Sequence, residues 1–144
     1  MAEWKVLIGS KSFGKSFPEH FDQLREAGCE VIPNQLGRAY RADELDEALK
    51  GVDAIVSGTD ELTADVIRGA DSLKTIAKHG VGLDSIDLAA AKERGIVVTA
   101  TFSAVHDSVA DLTLALLLAV ARGIVPSHLS VKGGKWKGFT GIEL

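Results

Sequence analysis

Two glycines separated by one valine, Gly80-Val81-Gly82, are the residues of this chain whose type and spacing most directly indicate chemistry. They follow a short run, Lys74–Lys78, that is typical of a buried strand. Glycines in a tight turn leave backbone N–H groups uncovered, and such a turn can bind a carboxylate or another anion. The local sequence leaves two interpretations open, an anion-binding turn and a plain connection between a strand and a helix.

The same segment does not match the dinucleotide-binding fingerprint G-x-G-x-x-G. Position 85, where the third glycine is required, is Ser85, and no acidic residue closes the next predicted strand, Ile96–Thr99. The chain also has no Gly-x-Ser-x-Gly elbow and no Walker loop. These residues therefore do not predict a nucleotide site by themselves.

Other polar residues follow predicted strands and would share a sheet edge with this turn. Ser57 and Thr59 come at the end of the predicted strand Asp53–Ser57 and are candidates to line the same cleft, although a helix-capping loop accounts for them equally well. His79 and His106 also lie in loops after strands, but no histidine has a partner at the spacing of metal ligands. We therefore predict no metal site.

Strands and helices alternate along the first hundred residues. The predicted strands are short apolar runs, and Pro and Gly punctuate the helices between them. The predicted strands are Trp4–Gly9, Cys29–Pro33, Asp53–Ser57, Lys74–Lys78 and Ile96–Thr99. The predicted helices are Pro18–Ala27, Ala42–Lys50, Thr63–Arg68, Ser85–Arg94, a long one capped by Asp107 or Ser108 and running to about Arg122, and a short one at Pro126–Gly133.

This alternation predicts an α/β fold in which a parallel sheet is covered by helices on both faces. Right-handed crossovers make the sheet doubly wound, and we predict the strand order 2-1-3-4-5, which is one of two common solutions. Ligands bind such sheets beyond the carboxyl ends of the strands. In this chain those ends fall at residues 9–13, 57–61, 78–84 and 99–107.

Composition argues against two classes of partner. The 144 residues carry a formal net charge of −4 and no basic stripe, so we expect no nucleic-acid binding. The most apolar stretch, Val109–Val125, contains Asp111 and Arg122 and is shorter than the roughly 20 apolar residues of a membrane span. We expect a helix that is buried on most sides and no membrane partner.

A single cysteine, Cys29, bears on the compartment. No disulfide can form within the chain, and Met1–Ser10 has neither a basic n-region nor a small-residue cleavage site. We therefore expect a reducing compartment, the cytoplasm, with Cys29 acting as a small buried hydrophobe.

Three segments carry a resemblance to a known family. They are Lys78–Asp87 (KHGVGLDSID), Ala90–Thr99 (AAKERGIVVT) and Asp107–Leu114 (DSVADLTL). Through them the chain resembles the D-isomer-specific 2-hydroxyacid dehydrogenases over nearly its whole length. It looks most like the D-3-phosphoglycerate dehydrogenase branch, and the glyoxylate/hydroxypyruvate reductases are close neighbours.

The resemblance implies a two-domain oxidoreductase that acts on the CH–OH group of a small D-2-hydroxy acid, or reduces the matching 2-oxo acid, with NAD or NADP. Residues 1–100 would form its flavodoxin-like substrate-binding domain. Residues 101–144 would supply a crossing helix and a dimerisation arm at the start of a Rossmann domain. The cofactor motif and the catalytic Arg, Glu and His would follow Leu144. We therefore expect an N-terminal fragment that is inactive alone, contains no catalytic residue and binds no cofactor by itself.

The resemblance also implies roles for particular residues. His79, Gly80, Val81 and Gly82 match the loop whose amides hold the substrate carboxylate. A second cleft loop is matched by Ser57, Gly58 and Thr59, and many phosphoglycerate-type relatives have Arg at the position of Gly58.

The C-terminal part of the chain carries two further implied contacts. Ser108 and Val109 match the start of the helix that faces the nicotinamide. Trp136 matches an aromatic residue on the arm that reaches a partner subunit. A homodimer formed through residues 108–144 is therefore expected.

One segment departs from the family pattern. Thr99–Val105 (TATFSAV) stands where relatives usually have Thr-Asn-Thr-Pro-Gly-Ala-Asn, so Phe102 and Ser103 replace the Pro and Gly of the hinge. Ala100 and Val105 replace the two asparagines, and a polar contact from this crossing to the substrate is not carried over. These departures keep a second hypothesis open, a stand-alone, non-catalytic ligand-binding or regulatory module of flavodoxin-like fold.

Overall fold

The computed structural model describes residues 4–143. The predicted domain limits at residues 1 and 144 lie outside that range. The chain forms two compact units that divide between Phe102 and Ser103.

The first unit alternates strands and helices as the sequence predicts. Its strands are β1 (Trp4–Ile8), β2 (Cys29–Ile32), β3 (Ala54–Ser57), β4 (Thr75–Lys78) and β5 (Val97–Ala100). Its helices are α1 (Glu19–Glu26), α2 (Ala42–Ala48), α3 (Ala64–Gly69) and α4 (Leu88–Glu93).

All five strands join one parallel sheet in the order β2-β1-β3-β4-β5. The predicted strand order is therefore confirmed. The chain leaves β1 towards β2 and returns to pair β3 on the other side of β1, which places the switch in winding direction between β1 and β3. The carboxyl ends of β1, β3 and β4 consequently lie side by side at one edge of the sheet.

The core lies between this sheet and its helices. Leu7, Ile55 and Ile76 come from the three central strands and are at most 1% exposed. Leu45 and Leu49 of the α2 region pack into the same cluster, as their helical spacing predicts. Burial of each such side chain contributes about 1.5–3 kcal/mol, so the core fixes the three central strands relative to each other. Cys29, in contrast, is only half-buried, so the prediction of a buried thiol is wrong.

Helix starts follow local capping chemistry, with one difference from the prediction. Thr63 Oγ1 accepts a hydrogen bond from the N–H of Val66 at 3.4 Å and so caps α3. Helix α4 begins at Leu88 instead of Ser85, because the carboxylate of Asp87 caps it through the N–H of Ala90 at 2.8 Å. Residues 85–87 are extended and not helical. The N–H of Leu62 donates to the Ser85 carbonyl, and the Leu62 carbonyl accepts from the N–H of Asp87.

The second unit contains two helices, α5 (His106–Ala121) and α6 (Ile124–Lys132). Helix α5 begins two residues before the predicted start and has no side-chain cap, so the predicted Asp107 or Ser108 cap is wrong. Gly123, in the left-handed region at φ 58°, separates α6 from it, and α6 begins at Ile124 instead of Pro126.

The predicted burial of the apolar helix α5 is also wrong. Within this unit only Ala121 of α5 is buried, whereas Val109, Leu112 and Leu116 are 57–59% exposed. Among residues 4–143, no single helix is long and apolar enough to cross a membrane, and only the bent pair of α5 and α6, at 63°, meets those criteria of length and composition.

Candidate anion-binding site

A cleft of about 390 Å³ opens at the carboxyl edge of the sheet, where β1, β3 and β4 end. Three loops form its walls, and each loop follows one of these strands. The lining residues are Ser10, Lys11 and Ser12 after β1, Ala39 from the segment after β2, Gly58 and Thr59 after β3, and Lys78, His79, Gly80, Val81, Gly82, Asp84 and Ser85 at and after β4.

The Gly80–Gly82 turn lines this cleft and has free backbone donors. Within residues 4–143, the N–H groups of Gly80, Val81 and Gly82 donate to no other protein group. Gly80 has φ 145°, a conformation that favours glycine. The turn is anchored from β5, because both the N–H and the hydroxyl of Thr101 donate to the Gly80 carbonyl, at 3.0 and 3.1 Å. Fixed, unpaired amides of this kind can bind an anion.

His79 is held by a serine on the opposite wall. Its Nδ1 lies 2.8 Å from Oγ of Ser10, which is 4% exposed, and the backbone N–H of His79 donates to the Ser57 carbonyl at 2.8 Å. Phe13 packs edge-on against the imidazole with ring centroids 5.8 Å apart. The ring is thereby oriented from the β1 loop, 69 residues away in the sequence.

Asp60 organises the β3 loop from inside the protein. This carboxylate is fully buried and accepts hydrogen bonds from the N–H of Tyr40 at 2.8 Å, the N–H of Gly58 at 2.8 Å and the hydroxyl of Ser57 at 3.1 Å. Three donors satisfy the charge that burial would otherwise penalise. Asp60 is therefore a positioning residue for the loop, and it does not line the cleft.

The predicted site residues separate into three groups. Gly58, Thr59, His79, Gly80, Val81 and Gly82 all line the cleft. Ser57 does not, because its side chain is fully buried and donates to Asp60. The third group, Ser108, Val109 and Trp136, lies in the second unit, where all three side chains are exposed.

Several lining residues were missed by sequence reasoning. Ser10, Lys11 and Ser12 lie in the predicted edge after β1, but nothing in their types marked them as part of a site. Lys78 lies at a predicted strand end, and a lysine in a four-residue strand of a buried sheet is unusual, which is a usable signal for a lining residue.

The cleft does not fit a dinucleotide by itself. A pyrophosphate in such folds lies at the N-terminus of the helix that directly follows the glycine turn. Here α4 begins only at Leu88, six residues after Gly82, so the turn is not a helix N-terminus. Metal binding has no support either, since no cluster of three His, Cys, Asp or Glu side chains suited to an ion occurs among the described residues.

The fold is a flavodoxin-like α/β domain, and the cleft is a candidate site for a small anion. A family model described as the catalytic domain of the D-isomer specific 2-hydroxyacid dehydrogenases matches residues 10–140. The chain therefore belongs to the D-isomer specific 2-hydroxyacid dehydrogenase family, as the sequence motifs predict.

Individual relatives agree with this membership. The chain is 48% identical over 131 residues to a D-3-phosphoglycerate dehydrogenase of Methanocaldococcus jannaschii, a match that covers 85% of this chain and 25% of the relative. It is 46% identical over 124 residues to a glyoxylate reductase of Thermococcus litoralis, covering 85% of this chain and 38% of that protein. The chain thus spans well under half the length of these curated relatives.

A solved structure supports the fold. The NAD⁺-bound 3-phosphoglycerate dehydrogenase of Entamoeba histolytica superposes with a TM-score of 0.79 at 24% identity, covering 99% of this chain and 44% of that one. At this identity the likeness concerns the fold alone.

Proposed function

We propose that these 144 residues supply the substrate-binding part of an NAD(P)-dependent oxidoreductase that acts on the CH–OH group of a small D-2-hydroxy acid, with D-3-phosphoglycerate dehydrogenase as the nearest type. Their role is to hold the carboxylate of the 2-hydroxy or 2-oxo acid and to form one wall of the cleft. Hydride transfer is the chemistry of the nicotinamide, and the described residues contribute binding and orientation only.

One observation carries this proposal, the set of free amides at Gly80, Val81 and Gly82 inside the cleft. Backbone N–H groups can bind a carboxylate without help from a side chain, whatever the rest of the acid contains. Thr101 holds the turn from one side, and the Ser10–His79 pair fixes the residue before it. The donors are therefore in place before a ligand arrives, which lowers the ordering cost of binding.

The experiment that tests this role is an NMR titration of the 144-residue chain with D-glycerate. We expect the largest amide shifts at Gly80, Val81 and Gly82, and none at the exposed Gly37 or Gly51, whose turns lie outside the cleft. Glycerol, which has the same carbon chain and no carboxylate, is the control ligand. Equal shifts with glycerol, or shifts spread evenly over the protein, would contradict the proposal.

A second candidate is a stand-alone, non-catalytic ligand-binding or regulatory module. The observation in its favour is the crossing at Phe102, Ser103 and Val105, where all three side chains are exposed and the family's hinge residues are replaced. Calorimetry with NADH and NADPH on this chain separates the candidates. Absence of binding by a folded chain fits a substrate-binding part, whereas micromolar binding would make the chain a self-sufficient nucleotide module.

Residues 108–144 are proposed to mediate self-association as a homodimer. Trp136 is 94% exposed, and in α5 Val120 is 82% exposed and several leucines are exposed as well. An apolar surface of this kind is typical of an interaction site. Light scattering at increasing concentration is the test. We expect a dimer that Leu112→Glu and Leu116→Glu together convert to a monomer, and a monomer at all concentrations of the unmodified chain would contradict it.

The working compartment is proposed to be the cytoplasm. Cys29 is the one cysteine of the sequence and is half-buried as a free thiol. The proposed function needs no disulfide bond. It does need a pool of nicotinamide cofactor, which the cytoplasm supplies.

A further inference from the structure

A second cavity of about 390 Å³ shares one lining residue, His79, with the anion-binding cleft. Its other lining residues are Phe13, from the loop after β1, and His20, Gln23 and Leu24, from α1. None of these four lines the cleft. The cavity is therefore a separate space, and the proposed function gives it no role.

The face of α1 that lines this cavity is only partly covered by the rest of the protein. His20, Gln23 and Leu24 are three and four residues apart, a spacing that places them on one face of a helix. His20 and Leu24 are half-buried, Gln23 is exposed, and α1 has no fully buried residue. A small molecule therefore has access to this face.

Three of the lining side chains are flat rings. The ring centroids of His20 and His79 each lie 5.8 Å from that of Phe13, and their planes are inclined to it by 42° and 83°. Aromatic rings attract one another in tilted and edge-on arrangements at centroid distances of about 4.5–7 Å. An added ring can make contacts of the same kind, which an aliphatic group of equal size cannot.

The walls of the cavity are held in place without a ligand. Phe13 packs edge-on against Phe21 of α1, with ring centroids 5.3 Å apart. Gly14, at φ 72°, brings the loop backbone so close to the same ring that an added Cβ would overlap Cε2 of Phe21. His79 is fixed by Ser10 at 2.8 Å. Because the walls are already ordered, a ligand loses little affinity to ordering them.

The lining offers hydrogen bonds but no charge. Within residues 4–143, the side-chain hydrogen bonds of His79 use Nδ1, so its Nε2 has no protein partner, and the imidazole of His20 and the carboxamide of Gln23 have none either. Among the described residues, no lysine, arginine, aspartate or glutamate lines the cavity. An ionised ligand would lose hydration here without gaining a counter-charge, whereas an uncharged hydroxyl or amide group finds partners.

We propose that this cavity, lined by Phe13, His20, Gln23, Leu24 and His79, binds a small uncharged aromatic molecule that carries a hydrogen-bonding group. A dry cavity of about 150 Å³ already holds benzene, so the space suffices for one ring or two fused rings. The ligand differs in both charge and shape from the acid of the proposed function. The site is thus additional to the cleft.

An NMR titration of the unmodified chain with phenol is the first test. We expect saturable shifts of the imidazole signals of His20 and His79 and of the Leu24 methyl groups. Cyclohexanol keeps the size and the hydroxyl but has no aromatic ring, so its Kd should be about fivefold higher. Benzoate keeps the ring but is charged, so its Kd measured at Leu24 should be about tenfold higher. Equal Kd values for phenol and cyclohexanol, or shifts spread evenly over the protein, would overturn the inference.

Saturation with D-glycerate tests whether the cavity is separate from the cleft. The phenol Kd should stay within about twofold, since only His79 is common to the two linings. Displacement of phenol by D-glycerate would overturn the inference. If D-glycerate shifts none of the Gly80–Gly82 amides, the proposed function fails, and the phenol titration still decides the inference independently.

Substitution of Phe13 provides the third test. Phe13→Leu keeps an apolar side chain and removes the ring, so the phenol Kd should rise about fivefold while the cyclohexanol Kd stays the same. General damage to the cavity would weaken both ligands alike. Phe102→Leu, at a phenylalanine that is 56% exposed and lies outside the cavity, is the matched control. A full preference for phenol in Phe13→Leu would contradict the proposed site.

Discussion

A Cβ atom added to Gly9 would lie 2.5 Å from Oδ2 of Asp60, so the Asp60 carboxylate packs directly against the Gly9 backbone. The carboxylate cannot move aside easily, because it is fully buried and accepts three hydrogen bonds. Position 9 therefore requires glycine because the Asp60 carboxylate leaves no room for a side chain. Its backbone conformation does not require glycine, since Gly9 is not among the positive-φ glycines.

Gly9→Ala should destabilise the protein. The added methyl overlaps the carboxylate, and overpacking of this kind costs about 1–3 kcal/mol. The free energy of unfolding in urea, followed by circular dichroism, measures the loss. Gly69→Ala in α3 is the matched control, because a Cβ there meets nothing within 4 Å, and it should be neutral or slightly stabilising. Equal effects of the two substitutions would refute the overlap with Asp60.

Asp60→Asn tests the hydrogen bonds of the same carboxylate. One amide oxygen cannot accept from Tyr40, Gly58 and Ser57 together, and the new NH₂ group faces donors. We expect a loss of about 1–3 kcal/mol of unfolding free energy. Asp71→Asn, at an exposed aspartate, should change stability by less than about 0.5 kcal/mol. The Gly58 amide resonance should also shift in the Asp60 variant, and an unchanged spectrum would argue against the positioning role.

Thr101→Val should weaken carboxylate binding without unfolding the protein. The substitution keeps the branched shape and the backbone N–H bond to Gly80, but it removes the hydroxyl bond of 3.1 Å. A neutral hydrogen bond contributes about 1 kcal/mol, so the Kd for D-glycerate should rise by up to about fivefold. Thr101→Ser should bind like the unmodified chain. Thr99→Val, at an exposed position of β5, is the control, and a loss of affinity there as large as at Thr101 would count against the anchor.

Acid stability should depend on Glu44. Its hydrogen bonds with the Arg38 side chain, followed in importance by the N–H of Arg41, lower the pKa of Glu44 from 4.5 to about 2. A carboxyl whose pKa is lower in the folded state stabilises the fold above the unfolded pKa, and this contribution is lost as the pH falls through the folded pKa.

The pH window for Glu44 therefore runs from about 4.5 down to about 2. Glu44→Gln should flatten the decline of unfolding free energy across that window. Arg38→Met should raise the pKa of Glu44 towards its ordinary value, which NMR of the side-chain carboxyl carbon measures directly. A Glu44 pKa that stays low without Arg38 would show that the ion pair is not the main cause.

Element order was predictable because its determinants are local, whereas the strand order was predicted only as one of two common solutions for such a fold. Each strand is a short apolar run, and Gly28, Gly51 and Gly95 all have positive φ at the turns after helices, where glycine is expected. The start of α4 was not predictable, since residues 85–87 are held by Leu62, which is remote in sequence. The exposure of α5 was not predictable for the same reason, because the burial of a helix depends on the residues that pack around it.

The site was predictable only in part, for the same physical reason. The Gly80–Gly82 turn has a local signature, and family motifs strengthened it. Ser10 and Asp60 have no such signature, because their roles arise only when β1, β3 and β4 lie side by side. Serine next to His79 or aspartate behind Gly9 are relationships of the folded chain and cannot be inferred from spacing.

The bond between Ser10 and His79, which joins residues 69 apart, has a consequence for how the protein is made. Synthesis at about 5–20 residues per second places roughly 3–14 s between the appearance of the two partners on the ribosome. For the first part of that interval, until Ser57 of β3 has been synthesised, Leu7 and Ile8 have no β3 to pair with and remain open to chaperones or to other nascent chains, although both are only 1% exposed in the folded state. Slow codons between β1 and β3 would lengthen this period, because β1 is enclosed in the sheet only when β2 and β3 flank it.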